Sequence, residues 1–244
     1  ETKTALEKAK SIILKESNFV DWDPKTPKSF SVPYSSNFHR LDAEYYQPKY
    51  KDLVQKIKSN KNGWASLKDL VKISKGQEVG SDLYTDNGIP FTRVSNISER
   101  RLSDEKFIDH SIYKNYIKLQ PKKQDILLTK DGSPGIAYFF KDEPEKMLCS
   151  AGVAILTNTS DEIKSEYIFA CLLTKIVQEQ KNRDVGGSVI PHWRPNEIEE
   201  IIIPLIDINM QNEVSKCVNE YFNKLEDYYS LLDKNISLID EQFA

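Results

Sequence analysis

The chain has 244 residues, of which 39% are hydrophobic and 29% charged, and its formal net charge at pH 7 is -3. This composition is typical of one large folded domain with helical extensions, and it argues against a strongly basic, non-specific nucleic-acid-binding protein. No apolar run reaches the roughly 18–20 residues that cross a bilayer, and no signal-peptide pattern is present, so we expect no membrane association. Nine glycines are few for the Gly-rich turns of dinucleotide and methyl-donor folds.

The charge is spread unevenly. Lys and Arg exceed Asp and Glu by four in residues 1–63, but they fall short by two in residues 64–205 and by five in residues 206–244. If the protein binds DNA, local basic loops or a basic partner must supply the phosphate contacts. The three cysteines are far apart and odd in number, which predicts neither a disulfide framework nor a metal site and indicates a reducing cytoplasm.

The predicted elements begin with helices. Apolar residues at helical spacing predict a helix over residues 1–17, and the Pro- and Ser-rich residues 21–38 predict an extended connection. A second helix is predicted over residues 43–59. Gln47-Pro48 marks a break or a restart inside it, because proline suits a first helical turn.

Short apolar runs separated by turn signals follow from Trp64. They are Ala65–Ile73, Ile89–Val94, Ile126–Thr129, Ile136–Phe140, Ser150–Leu156 and Ile201–Pro204, with a predicted helix at Tyr167–Gln180 and a flexible loop at Gly186–Ser188. The pattern divides the chain into an N-terminal helical extension (1–63), a central region of short apolar runs and turns with one helix (64–205), and a long C-terminal helix (206–244).

The tail is the clearest periodic element. Eight positions, all apolar or aromatic except Asn235, are spaced alternately by four and three residues, which is the a/d seam of a coiled coil held through about four heptads. The seam consists of Val214, Val218, Tyr221, Leu225, Tyr228, Leu232, Asn235 and Ile239. Two interpretations stay open: a core helix that packs on its own domain, or a helix that pairs with another long helix.

The turn from Lys130 to Gly135 follows a buried strand and carries Lys, Asp and Ser, which suits a rigid platform for ligand contacts. It is no phosphate loop, because the Gly-Lys-Ser/Thr ending is missing and Pro134 removes a backbone N–H. No Asn-Pro-Pro-Tyr or Asp-Pro-Pro-Tyr is present, so the adenine methyltransferase signature is missing.

Asp104-Glu105-Lys106, with Asp86 upstream, matches part of a metal-dependent nuclease motif. Such a triplet is expected by chance in a chain this rich in charged residues, and the three histidines share no metal-ligand spacing. We therefore expect no metal, no cofactor and no catalysis. A metal-dependent nuclease, a methyltransferase fragment and a helical assembly protein that does not bind DNA are the alternatives.

Polar side chains recur at strand and loop ends, where Arg can grip guanine and Asn can grip adenine. The candidate DNA-binding residues are Lys75, Gln77, Arg93, Asn96, Lys130, Ser133, Arg183, Ser188, His192, Trp193 and Arg194. Each has a structural alternative: Asn96 can cap a turn, Trp193 can lie in the core, and Arg93 can form a surface ion pair.

An ordered set of segments resembles the target recognition domain of the DNA specificity subunits of type I restriction-modification enzymes. These segments are Arg40–Pro48, Gly88–Ile97, Gln124–Ser133, Ser188–Trp193 and Ile203–Leu205, with Gln211 near the start of the tail helix. The resemblance spans about residues 40–244 and implies an α+β fold, with one globular mixed α/β target recognition domain followed by a long helix.

The resemblance implies that the chain binds double-stranded DNA and methyltransferase subunits. It leaves open whether a restriction subunit also joins the complex. In this family two recognition domains are held apart by antiparallel paired helices, and each domain reads half of a bipartite DNA site. One chain of this length has room for one such domain. It thus resembles a half-subunit that forms a homodimer through its tail helix, or one half of a longer protein with a second recognition domain. The acidic tail suggests a more basic helical partner, for which residues 1–17 are one candidate.

Overall fold

The computed structural model describes residues 2–24, 26–32, 40, 42–103, 106–186 and 189–243. The helices are α1 (Thr2–Glu16), α2 (Pro48–Lys58), α3 (Leu67–Leu70), α4 (His110–Asn115), α5 (Ser165–Leu172), α6 (Lys175–Val185), α7 (Pro195–Glu199) and α8 (Ile208–Phe243). The strands are β1 (Trp64–Ser66), β2 (Val71–Lys75), β3 (Tyr84–Thr85), β4 (Ile89–Thr92), β5 (Lys106–Ile108), β6 (Ile126–Thr129), β7 (Ala137–Phe139), β8 (Leu148–Cys149), β9 (Val153–Asn158) and β10 (Ile202–Pro204). Short 3-10 turns cover Ala43–Tyr46, Ser81–Leu83, Val94–Asn96 and Ile117–Leu119.

The strands form two four-stranded sheets and a two-stranded ribbon. One sheet has the order β2-β9-β6-β7 and is antiparallel throughout, with β6 inside it and all four side chains of β6 buried. The other has the order β3-β5-β4-β8, and its β4–β8 pair is parallel. β1 pairs with β10, which joins the two ends of the strand region. The predicted α+β class, with a mixed α/β domain between helical segments, is confirmed.

One large apolar core unites the helices with the first sheet. Ala9 and Ile13 of α1, Phe169 of α5, Phe139 of β7 and Val218 of α8 all belong to it. α1 packs against α8, so this helix supplies a partner for the first part of the tail within the chain. Two smaller clusters lie beneath the strands of residues 89–155. Since the large core draws on all three predicted segments, the boundaries at residues 63 and 205 stay a prediction.

The predicted seam of α8 divides in two. Its first half, Val214, Val218, Tyr221 and Leu225, is buried against the chain's own core. Its second half, Tyr228, Leu232, Asn235 and Ile239, is exposed. Leu231, Ile236 and Leu238 are exposed on the same stretch. The core-helix interpretation therefore applies up to Leu225. After it, the apolar stretch has no cover from the described residues, and its pairing with another long helix stays a prediction.

The prediction of one helix over Tyr167–Gln180 is wrong, because α5 ends at Leu172 and α6 begins at Lys175. Thr174 has an extended backbone, and its hydroxyl donates a 2.7 Å hydrogen bond to the Cys171 carbonyl. A hydroxyl that binds the carbonyls of the preceding turn competes with helix continuation. Apolar spacing alone does not reveal this break.

Four predicted strands have shifted bounds, and two of them, β7 and β10, are only one or two residues shorter than the predicted runs Ile136–Phe140 and Ile201–Pro204. β4 ends at Thr92 rather than Val94, because the next residues form a 3-10 turn, and β9 begins at Val153 rather than Ser150. The predicted restart at Gln47-Pro48 is confirmed, since a 3-10 turn ends at Tyr46 and α2 begins at Pro48. Of the predicted loop Gly186–Ser188, residues 187 and 188 lie outside the described residues.

The cysteines Cys149, Cys171 and Cys217 are free and buried, in agreement with the predicted absence of a disulfide framework. Burial raises the pKa of the Cys171 thiol to about 12. Across the described part of the chain, no helix combines the length and the apolar character that crossing a membrane requires.

Candidate nucleic-acid interface

The turn after β6 is held rigid by its own hydrogen bonds. The Thr129 hydroxyl donates to the Ser133 carbonyl at 2.5 Å and accepts the Ile136 N–H at 3.0 Å. Gly132 and Gly135 have φ values of 69° and 94°, in the left-handed region that favours glycine. A Cβ atom on Gly135 would also lie 2.9 Å from the Lys181 side chain. The turn therefore presents Ser133 to solvent on a fixed backbone.

A second turn, residues 150–152 between β8 and β9, brings the separate candidate segments together. Ser150 donates its N–H to the Thr92 carbonyl at 2.8 Å, and the Gly152 carbonyl accepts the Lys130 N–H at 2.9 Å. Gln77 donates its N–H to the adjoining Cys149 carbonyl at 2.8 Å. Sequence reasoning did not identify this turn as important.

Gly152 permits the close approach of these segments. A Cβ atom at Gly152 would lie 2.7 Å from the Val94 side chain and 3.4 Å from the Asp131 carboxylate. The glycine, in the middle of an otherwise apolar run, was the available sequence signal. Segments that contain Gln77, Arg93 and Lys130 thus meet at one place in the fold.

The loop at residues 189–194 is tied to the same place. Gly132 donates its N–H to the Pro191 carbonyl at 3.0 Å, and Trp193 donates its N–H to the Lys130 carbonyl at 2.7 Å. The His192 Nδ1 atom is in hydrogen-bond contact with the Asp131 carboxylate. His192 and Arg194 are exposed on either side of Trp193, which is completely buried.

Three of the predicted DNA contacts are interior side chains. The Lys130 ammonium is 2.8 Å from the Asp131 Oδ2 atom, and only 3% of the Lys130 residue is exposed. The Asn96 side-chain oxygen accepts the Arg93 backbone N–H at 2.8 Å, so Asn96 caps a turn. With Trp193 in the core, all three side chains are buried and bind other groups of the chain, and their contacts with DNA stay a prediction.

Arg183 and Asp184 form an ion pair beneath this surface. Arg183 Nε donates to Asp184 Oδ1 at 2.6 Å, and Trp193 Nε1 donates to Asp184 Oδ2 at 3.4 Å. Burial raises the pKa of the Asp184 carboxyl, even though the hydrogen bond and the charge of Arg183 oppose the shift. The guanidinium of Arg183 also lies 5.6 Å from the Tyr45 ring centre. Arg183 therefore braces the end of α6.

Arg40 fastens the lead-in segment to the end of α6. Its guanidinium donates to the Asp184 carbonyl at 2.5 Å and to the Gly186 carbonyl at 2.8 Å. It also binds the Asp42 carboxylate in a bidentate manner, at 2.7 and 3.0 Å. Burial opposes the charged form, but Asp42 and the more distant carboxylate of Glu197 outweigh burial and raise the pKa of Arg40. Sequence reasoning placed Arg40 in the lead-in without this role.

We expect Arg40→Ala to lower the free energy of unfolding by about 2 kcal/mol, because several charge-assisted hydrogen bonds are lost. Amide hydrogen exchange should rise in residues 42–50 and near residue 184, while urea denaturation reports the overall change. Arg40→Lys keeps the charge without the planar fork, and we expect an intermediate effect. Wild-type exchange in both segments of Arg40→Ala would contradict the anchoring role.

The eleven candidates thus differ in accessibility. Lys75, Ser133, His192 and Arg194 are exposed, Gln77, Arg93 and Arg183 are partly buried, and Asn96, Lys130 and Trp193 are buried. Ser188 lies outside the described residues. The fold collects the segments that carry Gln77, Arg93, Ser133, His192 and Arg194 around the residue 150–152 turn.

The described residues contain no group of three or more His, Cys, Asp or Glu side chains able to hold a metal ion. Two residues of the nuclease-like triplet, Asp104 and Glu105, lie outside the described residues. The described loops around the residue 150–152 turn form a rigid polar surface.

The family model described as "Type I restriction modification DNA specificity domain" matches residues 61–228. Comparison with curated protein sequences gives no significant match. A solved type I restriction-modification S subunit from M. genitalium is 15% identical, with a TM-score of 0.52, and the alignment covers 98% of this chain and 56% of that one. The HsdS subunit from Thermoanaerobacter tengcongensis is 12% identical, with a TM-score of 0.49 and coverages of 93% and 45%. The chain spans about half the length of these solved structures.

Proposed function

We propose, since this chain belongs to the family of type I restriction modification DNA specificity domains, that it selects the DNA sequence on which a type I complex acts. One observation carries the assignment of the contact surface. Four segments far apart in sequence meet at the residue 150–152 turn and leave Ser133, His192 and Arg194 exposed on rigid backbone. Fixed polar groups that project from loops are what direct readout of base edges requires.

The charge distribution supports a division of labour with a partner. Residues 64–205 carry slightly more acidic than basic residues, so this region alone attracts the DNA backbone weakly. Phosphate contacts position a protein on DNA, whereas base contacts give sequence preference. We infer that this chain supplies base contacts and that methyltransferase subunits supply much of the phosphate affinity. A restriction subunit is a further partner of the same complex.

The tail supports pairing between two recognition domains. The chain has one recognition domain, and the exposed apolar stretch of α8 from Tyr228 to Ile239 is suited to helix pairing. A second copy would bring a second recognition domain, and the pair would read two DNA half-sites. A longer protein with two recognition domains would achieve the same arrangement.

The protein's own contribution is recognition, without catalysis. Membership of the specificity-domain family supports this assignment over a nuclease, a methyltransferase fragment or an assembly protein that does not bind DNA. Cleavage of DNA by the purified chain with Mg²⁺ alone would contradict it.

We expect Arg194→Ala to weaken binding to the specific DNA duplex by about 1–3 kcal/mol, because Arg194 is exposed at the interface and its guanidinium can bind a base in a bidentate manner. Its stability should stay within about 0.5 kcal/mol of wild type, since surface changes cost little. Fluorescence anisotropy with specific and random duplexes separates the two possible roles. Equal losses of affinity for both duplexes would indicate that Arg194 contacts phosphates. No loss of affinity would show that Arg194 does not belong to the interface.

The proposal is tested by expressing the chain with the methyltransferase encoded beside it, in cells that lack other adenine methylation. Methylated adenines are then mapped across the genome. We expect them in one fixed sequence motif that disappears when the chain is omitted. Methylation that is absent in both cases, or independent of the chain, would contradict the proposed function.

A further inference from the structure

The Asp131 carboxylate contacts two side chains, of which one is buried and the other is exposed. Its Oδ2 atom is 2.8 Å from the buried Lys130 ammonium, and its Oδ1 atom is in hydrogen-bond contact with Nδ1 of His192. Lys130 has 4% of its side chain exposed, whereas His192 has 51% exposed. The three side chains therefore form a short polar chain from the interior to the proposed DNA surface.

This arrangement determines which nitrogen carries the proton in the neutral form of the His192 ring. A carboxylate can only accept hydrogen bonds, and the Oδ2 atom of Asp131 already accepts from Lys130. The neutral imidazole must then donate from Nδ1 to Oδ1, and this leaves Nε2 without a proton. No described residue forms a hydrogen bond with Nε2 of His192.

We infer that Asp131 presents His192 to DNA as a hydrogen-bond acceptor, and that His192 reads the exocyclic amino group of an adenine or a cytosine. In the major groove, adenine offers its N6 amino group and cytosine its N4 amino group, whereas guanine and thymine offer keto oxygens at the corresponding places. An unprotonated Nε2 favours the amino bases. Asp131 is thus a positioning residue, and His192 determines specificity at one base pair. The inference rests on the proposed function.

The same geometry predicts that one conservative change reverses the preference. In Asp131→Asn, the Lys130 ammonium attracts the amide oxygen, so the amide nitrogen faces His192. That nitrogen donates to Nδ1, which must then be unprotonated, and the proton of the neutral ring moves to Nε2. His192 becomes a donor that favours a keto oxygen. The motif should therefore change by a transition at one position, from A to G or from C to T on the contacted strand.

The test is genome-wide mapping of methylated adenines for the full chain co-expressed with its methyltransferase, in wild type and three variants. We expect His192→Ala to lose discrimination at one motif position, by roughly threefold to tenfold in relative methylation, as one hydrogen bond is removed. Asp131→Asn should shift the preference at that same position by a transition. Asp161→Asn, a matched exchange at an exposed residue between β9 and α5, should leave the motif unchanged.

The outcomes separate this inference from the proposed function. If His192→Ala and Asp131→Asn both methylate the same motif as the wild type, only the inference is overturned. Lower methylation of the same motif in both variants would also overturn it. That result is expected if Asp131 and His192 only hold the loop at residues 189–194 in place. No chain-dependent motif with wild type would contradict the proposed function itself. If His192→Ala does not fold, the near-isosteric Asp131→Asn decides alone.

Discussion

Leu225→Asp is expected to lower the free energy of unfolding by about 4 kcal/mol or more, whereas Leu232→Asp should change it by no more than about 0.5 kcal/mol. The two leucines occupy equivalent seam positions on α8 in adjacent heptads. Leu225 is 7% exposed in the main core, so the substitution buries an unpaired carboxylate. Leu232 is 36% exposed, so the same substitution places its charge in solvent. Urea denaturation followed by circular dichroism measures both changes.

The same pair tests helix pairing. Because Leu232→Asp leaves the fold intact, a lower mass in sedimentation or weaker binding to the methyltransferase would report lost contacts along the exposed stretch of α8. Ser230→Asp, on the same helix outside the predicted seam, is the matched control and should keep the wild-type mass. Unchanged mass and unchanged methyltransferase binding for Leu232→Asp would contradict a pairing role. Similar unfolding free energies for Leu225→Asp and Leu232→Asp would contradict the division of the seam.

Trp193→Ala is expected to lower the free energy of unfolding by about 3–5 kcal/mol, because the completely buried indole leaves a large cavity. Trp193→Phe should cost less, since it fills most of that space and loses only the long 3.4 Å hydrogen bond to Asp184. Urea denaturation of both variants gives the comparison.

Trp193→Phe also tests whether the Trp193 side chain supports the surface or contacts DNA. If Trp193 only supports His192 and Arg194, then Trp193→Phe should keep wild-type discrimination between specific and random duplexes. A stably folded Trp193→Phe without that discrimination would place the indole in contact with DNA. A loss of less than about 1 kcal/mol for Trp193→Ala would contradict its burial.

Local apolar pattern predicted the secondary structure best where burial is continuous. The run Ile126–Thr129 forms β6 with the predicted bounds, because all four side chains are buried and no polar face interrupts the run. The seam spacing of the tail predicted α8, but it could not show where the seam leaves the core. That point depends on the position of α1 and the first sheet, which lie far away in sequence.

The candidate site was predicted in outline but not in detail. Lys130 and Asn96 had the chemistry of DNA contacts, yet both are buried and bind other groups of the chain, the Asp131 carboxylate in one case and the Arg93 backbone in the other. Tertiary pairing decides between these uses, and residue type does not. The residue 150–152 turn was missed for the same reason, because its role consists of hydrogen bonds to segments far apart in the chain.

The most direct test of DNA selection uses the purified full chain in complex with its methyltransferase and a library of randomised duplexes. Bound duplexes are recovered and sequenced over several rounds, and the methyltransferase alone serves as control. We predict that one motif is enriched only when the chain is present, and that the complex binds it about 10³-fold or more tightly than random duplexes. Equal recovery of all sequences, or the same enrichment with the methyltransferase alone, would contradict this chain's role in DNA recognition.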